Sequence, residues 1–503
     1  MARSINGRHT LSPQQTASVQ FVTHSKDNLV LEAVAGAGKT TTLIEMLKVA
    51  QGSVAFCAFN KAIATEIDCK IESYNLPNVK VGTLHSFGFG AIRRAVSRVT
   101  VDGNKLRELA RRQFTGEHEK LQQFVISAAA MAKECGIEAV VGNTIENWKE
   151  MLNHYSLWDS LPEDISEEQG IDAAQYLLTT SNRLTQIVDF SDMIYLPILK
   201  KMKIWQYDYI LLDEAQDTNA TRRALVKMML KPNGRLLAVG DPCQAIYGFT
   251  GADSEALNSI RKEFNAKTLP LTVTYRCPKN IVKVANRWVN HIQAAETAPD
   301  GVVDDCELSD VAKFATAQDS IICRNTKPLV ELAYSLIRNS VACRVEGRSI
   351  GEGLIKLATR WKAIKTVGQL ETRLEEWAEK EIAKHKEKGN DSRCQVVEDQ
   401  VQTLQVFIMQ CEDSDSLSIL VDTIRNMFGD TENGQQRILT LSTIHKAKGR
   451  EWNRVFALGM NSYSPSKWAN QDWEIMQENN LCYVQVTRAK EHLTLVNVPN
   501  KSL

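Results

Sequence analysis

Residues 29–40 read Leu29-Val30-Leu31-Glu32-Ala33-Val34-Ala35-Gly36-Ala37-Gly38-Lys39-Thr40. A short apolar run of strand character leads into a glycine-containing loop, and Thr41 to Ala50 then sets Leu43, Ile44, Leu47 and Ala50 on one helical face. Strand, loop and helix in that order make a phosphate cradle. Gly36 and Gly38, with Ala37 between them, let backbone N–H groups approach phosphate oxygens, and the helix N-terminus adds the positive end of its dipole. In such a cradle Lys39 reaches the β- and γ-phosphates of ATP, the Thr40 hydroxyl holds Mg²⁺, and Thr41 lies beside them in the first turn. Ala33 stands where the general pattern has its first glycine. A helix-start turn with an exposed lysine is therefore the competing account of this stretch taken alone.

A second apolar run, Tyr209-Ile210-Leu211-Leu212, ends in Asp213-Glu214-Ala215-Gln216-Asp217. A strand buried in a parallel sheet delivers its C-terminal residues to the ligand crevice, so these carboxylates face the phosphates. Asp213 is placed to bind Mg²⁺, directly or through water, and Glu214 to orient and deprotonate the attacking water. One carboxylate at a strand end is ordinary solvated surface; this pentad after that cradle is not.

Composition bounds the remainder. The chain has 503 residues, with 60 Lys plus Arg against 60 Asp plus Glu and 43% hydrophobic residues. That length predicts about three or four domains with their own cores. Net charge zero excludes a passive polybasic coat, so a polyanion partner must be met by a local groove. The eleven cysteines are scattered without a CxxC pair, which fits reduced thiols and gives no support for a zinc or iron–sulfur site. No apolar stretch is long enough for a signal peptide or a membrane span, which predicts a cytoplasmic protein: host cytoplasm if phage-encoded, nuclear if eukaryotic.

Further stretches follow in order: Leu11-Ser12-Pro13-Gln14-Gln15, Phe59-Asn60-Lys61-Ala62, Thr83-Leu84-His85-Ser86-Phe87, Asp189-Phe190-Ser191-Asp192-Met193, and Gly240-Asp241-Pro242-Cys243-Gln244 continuing through Tyr247 and Phe249. The second half adds Tyr275-Arg276, then Thr443-Ile444-His445-Lys446-Ala447-Lys448-Gly449-Arg450-Glu451-Trp452, and a segment from Glu478 to Ala489 containing Thr487-Arg488. A Tyr-Arg or Thr-Arg pair alone carries no information; the joint occurrence in order does. Together these motifs resemble superfamily 1 DNA helicases of the UvrD, Rep and PcrA type over nearly the whole chain.

The resemblance implies an α/β fold of two RecA-like parallel-sheet motor lobes, each interrupted by a mostly helical insertion. Gln15 would read the adenine edge, Tyr275 stack on adenine and Glu451 meet the nucleotide sugar. Gln244 would sense the γ-phosphate, Arg276 touch it, and Arg488 act as an arginine finger, so that ATP lies between two lobes. Phe59, Asn60, Thr83, His85, Tyr247, Phe249, Thr443 and His445 would contact DNA. The family usually has Arg where Thr250 stands and Leu where Arg450 stands.

These landmarks divide the chain at about residues 1–90 and 185–275 for the first lobe and 91–184 for its insertion. The second lobe takes about 276–346 and 436–503, and a short insertion 347–435. The first insertion opens on Arg93, Arg94, Arg98, Lys105, Arg107, Arg111 and Arg112, which fit either a solvated helix face or a face for duplex phosphate. In the second, Leu370, Leu374, Trp377 and Ile382 at helical spacing read as core.

The function implied is ATP-dependent translocation on single-stranded DNA, 3′ to 5′, and unwinding at single/double-strand junctions in replication, recombination or repair. Two alternatives keep the same ATPase: a DNA-sensing regulatory subunit of a nuclease or defence complex, and a translocase that strips proteins from single strands. A protein partner such as a nuclease, a polymerase or a single-strand-binding protein is compatible with each; a membrane is not.

Overall fold

The computed structural model describes residues 11–248, 251, 255–339, 341–387, 391–429, 438–466, 469 and 471–498. The chain divides into two compact units, residues 1–272 and 273–503.

The first unit is built on β1 (Leu29–Ala33), β2 (Val54–Ala58), β3 (Val79–Thr83), β6 (Tyr207–Leu212), β7 (Leu230–Gly240) and β8 (Lys267–Leu271). They form one parallel sheet in the order β3-β2-β6-β7-β1-β8. Runs such as Val54-Ala55-Phe56-Cys57-Ala58 are buried at every position, as expected for strands covered on both faces. Parallel neighbours require crossovers. Helices Lys39–Val49, Lys61–Ser73, Ala220–Met229 and Ala256–Phe264 supply them. The order turns around between β6, β7 and β1, so their carboxyl ends open a crevice at a switch point, where ligands bind in such sheets.

Between β3 and β6 the chain is mainly helical, with one small parallel pair of β4 (Thr100–Val101) and β5 (Ile187–Val188). This region has its own core around Phe124, Trp148, Leu152, Ile171 and Leu178. Gly88 shows how closely it meets the sheet layer: a Cβ there would lie 2.0 Å from the Met193 carbonyl oxygen, so helix Leu84–Ala95 crosses helix Asp192–Leu199 in backbone contact. Beside that crossing, Lys105 Nζ meets Asp192 Oδ2 at 2.6 Å, and Lys133 Nζ meets Asp189 at 2.6 Å and Asp192 at 2.7 Å. Lys105 is buried, so it leaves the basic face on which the sequence reading placed it; Arg93, Arg94, Arg98, Arg107, Arg111 and Arg112 are exposed.

In the second unit β9 (Val273–Thr274) pairs with β10 (Gln293–Ala294). The main sheet comprises β11 (Val302–Glu307), β12 (Ser320–Cys323), β13 (Cys343–Glu346), β14 (Phe428–Gly429), β15 (Leu439–Thr443), β16 (Trp452–Leu458) and β17 (Ala489–Asn497). Its order is β11-β17-β16-β12-β15-β13-β14, all parallel. Helices Val367–Glu387, Asp391–Ile408 and Leu417–Met427 share one apolar cluster with it: Leu370, Leu374, Leu404 and Leu420 pack in the same core as Ile321, Leu441 and Phe456. Trp377 and Ile382 lie partly buried against that core. The short insertion thus extends this core outward: helix Val367–Glu387 packs on helix Asp391–Ile408, which packs on helix Thr326–Arg338 against the sheet. Among the described residues no helix is long and apolar enough to cross a membrane.

Candidate active site

The cradle takes the shape its sequence predicts. Gly38 caps helix Lys39–Val49 in the left-handed region, at φ 78°, and a Cβ there would also lie 2.8 Å from Gln15 Nε2, so glycine is required twice over. Gly36 is likewise left-handed, at φ 74°. Gln15 sits behind the loop. Its Oε1 accepts from Ser12 N at 3.0 Å in a capping box and its Nε2 donates to the Ala37 carbonyl at 3.4 Å. Both ends of the amide expected to read adenine are thereby engaged within the protein. Thr40 and Thr41 stand in the open first turn, while Thr42 turns inward and bonds Gly38 O at 3.0 Å.

Lys39 Nζ spans to Glu214, 3.3 Å from Oε1 and 3.4 Å from Oε2. Glu214 occupies the left-handed region at φ 49°, a conformation that costs a non-glycine residue on the order of 1–3 kcal/mol and recurs at functional positions. Beside it, Asp213 is buried, and its carboxyl is pushed well above the usual range by burial and by Glu214, with Lys39 opposing. Asp213 Oδ1 accepts from Glu214 N at 2.9 Å.

Three residues tie this edge together. Gln216 Nε2 donates to Glu214 Oε2 at 2.5 Å, and Gln216 Oε1 accepts from Asp241 N at 3.0 Å. Asp241, at the end of β7, is buried with its pKa raised by that burial, and its Oδ2 accepts from Gln244 Nε2 at 2.6 Å. Lys39, Glu214, Gln216, Asp241 and Gln244 therefore form one connected polar network. The motifs gave roles to Lys39, Glu214 and Gln244 but none to Gln216 or Asp241, which lie within the same stretches. Asp241 carried the same signal as Asp213, a carboxylate directly after a buried apolar strand.

The nucleic-acid candidates of this unit cluster at the carboxyl ends of β2 and β3. Phe59 is 40% exposed and stacks on Tyr247, with centroids 6.0 Å apart and planes at 17°. Asn60 and Thr83 are helix N-caps, accepting from Ile63 N at 2.9 Å and Ser86 N at 3.2 Å. Their side-chain oxygens thus hold helix ends. Burial, with Arg222 nearby, lowers the His85 pKa. Phe249 and Thr250 lie outside the described residues.

In the second unit, Tyr275 is 44% exposed. Arg276 Nε donates to Glu451 Oε2 at 2.6 Å and its Nη1 to Thr487 O at 3.4 Å. Arg488 is 1% exposed: Nε bonds Val484 O at 3.0 Å, Nη1 bonds Arg450 O at 3.3 Å and Nη2 bonds Thr487 Oγ1 at 3.2 Å. The expected finger is turned into its own unit. Arg450, which replaces the family's leucine, pairs with Glu346 at 2.5 Å and lies 4.7 Å from the Trp452 ring centroid. Thr443 is buried, and burial together with Arg324 and Lys448 pushes the half-buried His445 down to about 3. Arg324 itself, missed in the sequence, follows β12 and grips Glu478 through two nitrogens at 3.0 and 2.8 Å.

Residues 11–265 match the UvrD/REP helicase N-terminal domain and residues 347–499 the UvrD-like helicase C-terminal domain. The chain belongs to the UvrD/REP helicase family. Among its relatives is the ATP-dependent DNA helicase Rep of Buchnera aphidicola, 29% identical over 294 residues, covering 52% of this chain and 43% of that protein. The F-box DNA helicase protein 1 of Schizosaccharomyces pombe is 24% identical over 541 residues, covering 96% and 57%. DNA helicase II of Haemophilus influenzae is 22% identical over 621 residues, covering 95% and 82%. The chain spans about half the length of the first two.

Proposed function

We propose that the protein is a DNA-dependent ATPase that moves along single-stranded DNA, in the 3′ to 5′ direction, and opens duplex at single/double-strand junctions. The observation that carries the ATPase part of this reading is the network of Lys39, Glu214, Gln216, Asp241 and Gln244 at the open edge of the first sheet, while the polarity and the duplex opening rest on the family resemblance. Lys39 neutralises phosphate charge, and Glu214, released from Lys39 when phosphates arrive, accepts a proton from the attacking water. Gln244, tethered through Asp241 and Gln216 to Glu214, links the γ-phosphate position to the base. The donor set fits magnesium: a hydroxyl from Thr40 and a carboxylate from Asp213 are hard oxygens. Magnesium, when bound with nucleotide, supplies charge neutralisation at the β- and γ-phosphates.

Tyr275, Arg276, Glu451 and Arg488 are assigned the nucleotide contacts that the family resemblance implies. For Arg276 and Arg488 this means exchanging the bonds to Glu451 and to backbone carbonyls described above. Phe59 and Tyr247 are assigned to base stacking, which is worth about 1–3 kcal/mol per base and tolerates any sequence.

The test is strand displacement by the purified chain on 3′-tailed and 5′-tailed duplexes with ATP. Displacement of the 3′-tailed substrate alone supports the proposal. Equal activity on both tails overturns the polarity, and DNA-stimulated hydrolysis without displacement moves the reading to a regulatory ATPase.

A further inference from the structure

The far end of the first sheet carries a feature that the ATP site does not use. Trp205 precedes β6 and is 68% exposed, the most exposed aromatic ring among the described residues. The Arg94 guanidinium lies 5.9 Å from its centroid, within cation–π reach. Arg93 and Arg94 end helix Leu84–Ala95, where the helix dipole favours them. That accounts for two charges but not for Lys200, Lys201 and Lys203, which are exposed on the link into Trp205. Along this link Met202 is buried and Ile204 half-buried, so Lys201, Lys203 and Trp205 alternate outward while the apolar residues anchor the segment.

No acidic residue occurs from 84 to 98 or from 193 to 207. The first that follows, Asp208, is already taken by Lys231 at 2.8 Å and by Ser53. Among the described residues none of Arg93, Arg94, Lys200, Lys201 and Lys203 has a carboxylate partner. β6 runs from Tyr207 to Leu212, with Asp213 at its other end. At about 3.3 Å per residue, Tyr207, two residues after Trp205, thus lies roughly 20 Å along the strand from the Mg²⁺-site carboxylate.

We propose that Trp205, with Arg93, Arg94, Lys200, Lys201 and Lys203, is a second binding site for single-stranded nucleic acid, distinct from the stacking residues at the carboxyl edge of the sheet. An exposed indole offers a base its π-face, and Arg94 beside it, with the exposed cations of the same helix end and of the link, neutralises the phosphodiester backbone, the two elements of sequence-tolerant strand binding. An acidic polypeptide would satisfy the charges but would leave the indole without a role. The site does not depend on how ATP is used.

The test measures binding of a fluorescent oligothymidylate, long enough to engage this patch and the carboxyl-edge stacking residues together, to the full chain without nucleotide, over a range of salt. The Lys200→Glu/Lys201→Glu/Lys203→Glu variant is expected to bind about tenfold or more weakly, with a salt slope shallower by about two, since each single-strand phosphate contact contributes about 0.7. Trp205→Ala is expected to lose about fivefold and Trp205→Phe to bind as wild type. ATP hydrolysis at saturating DNA should be unchanged in all three, which separates this site from the motor and leaves the ATPase reading to stand or fall by itself. All four positions are exposed, and thermal melts of the variants verify the fold. Wild-type affinity and slope in the triple variant overturn the proposal. A fall in saturated hydrolysis also overturns it, because the patch would then belong to the motor track, as does displacement of the oligonucleotide from this patch by polyglutamate at matched charge.

Discussion

The Gln216 amide bridges the carboxyl ends of β6 and β7: Nε2 donates to Glu214 Oε2 at 2.5 Å and Oε1 accepts from Asp241 N at 3.0 Å. Glu214 is thus held from one side by a neutral donor and from the other by Lys39. Gln216→Ala should lower the rate of single-turnover hydrolysis by about tenfold, a fraction of the 10²–10⁴ that a positioned base contributes. Affinity for a fluorescent ATP analogue should not change. A wild-type rate would remove Gln216 from the positioning role.

Gly88 has no room for a side chain, because its Cβ would fall 2.0 Å from Met193 O. Gly88→Ala must push the two helices apart, and overpacking of this kind costs about 1–3 kcal/mol. Urea unfolding should show a lower midpoint; an unchanged midpoint would mean that the crossing relaxes freely.

The buried ions beside that crossing make a harsher test. Asp192→Ala leaves Lys105 and Lys133 with Asp189 as the remaining carboxylate, and breaking a buried pair from one side costs about 3–5 kcal/mol. Burial already lowers the Lys105 pKa, so part of the loss would be relieved by deprotonation, making the variant less unstable at high pH. Denaturant midpoints measured at pH 7 and pH 9 check both statements.

His445 predicts acid sensitivity. Its pKa falls from 6.5 to about 3 on folding, so between those values the unfolded chain binds a proton that the folded chain does not. Its stabilising contribution is complete above pH 6.5 and is lost as pH drops towards 3, by up to about 1.4 kcal/mol per pH unit. His445→Gln should flatten the acid limb of a stability profile relative to wild type; parallel limbs would contradict this.

The sequence made the first parallel sheet legible because buried strands such as Leu29-Val30-Leu31 and Tyr209-Ile210-Leu211-Leu212 are continuous apolar runs that end in chemistry-bearing residues, whereas the second sheet was implied only by the resemblance. Lys39, Asp213 and Glu214 were readable for that reason. Lys105 was not, since a charge run looks the same whether a member faces water or a buried aspartate 87 positions away. The engagement of Gln15, Arg276 and Arg488 with their own surroundings was also hidden, because motif spacing fixes where a side chain starts but not which carbonyl or carboxylate it finds. The short insertion lacked any sequence mark of its docking: Leu370 and Leu374 announced a buried face, and only the fold shows that their helix packs on helix Asp391–Ile408.

The central claim is that DNA drives ATP hydrolysis through Glu214. It is tested most directly by steady-state hydrolysis with and without single-stranded DNA for wild type and Glu214→Gln, alongside nucleotide binding. The account predicts strong stimulation by DNA in wild type, and in the variant a fall of about 10²–10⁴ with binding retained. Hydrolysis indifferent to DNA, or near-normal turnover in Glu214→Gln, would contradict it.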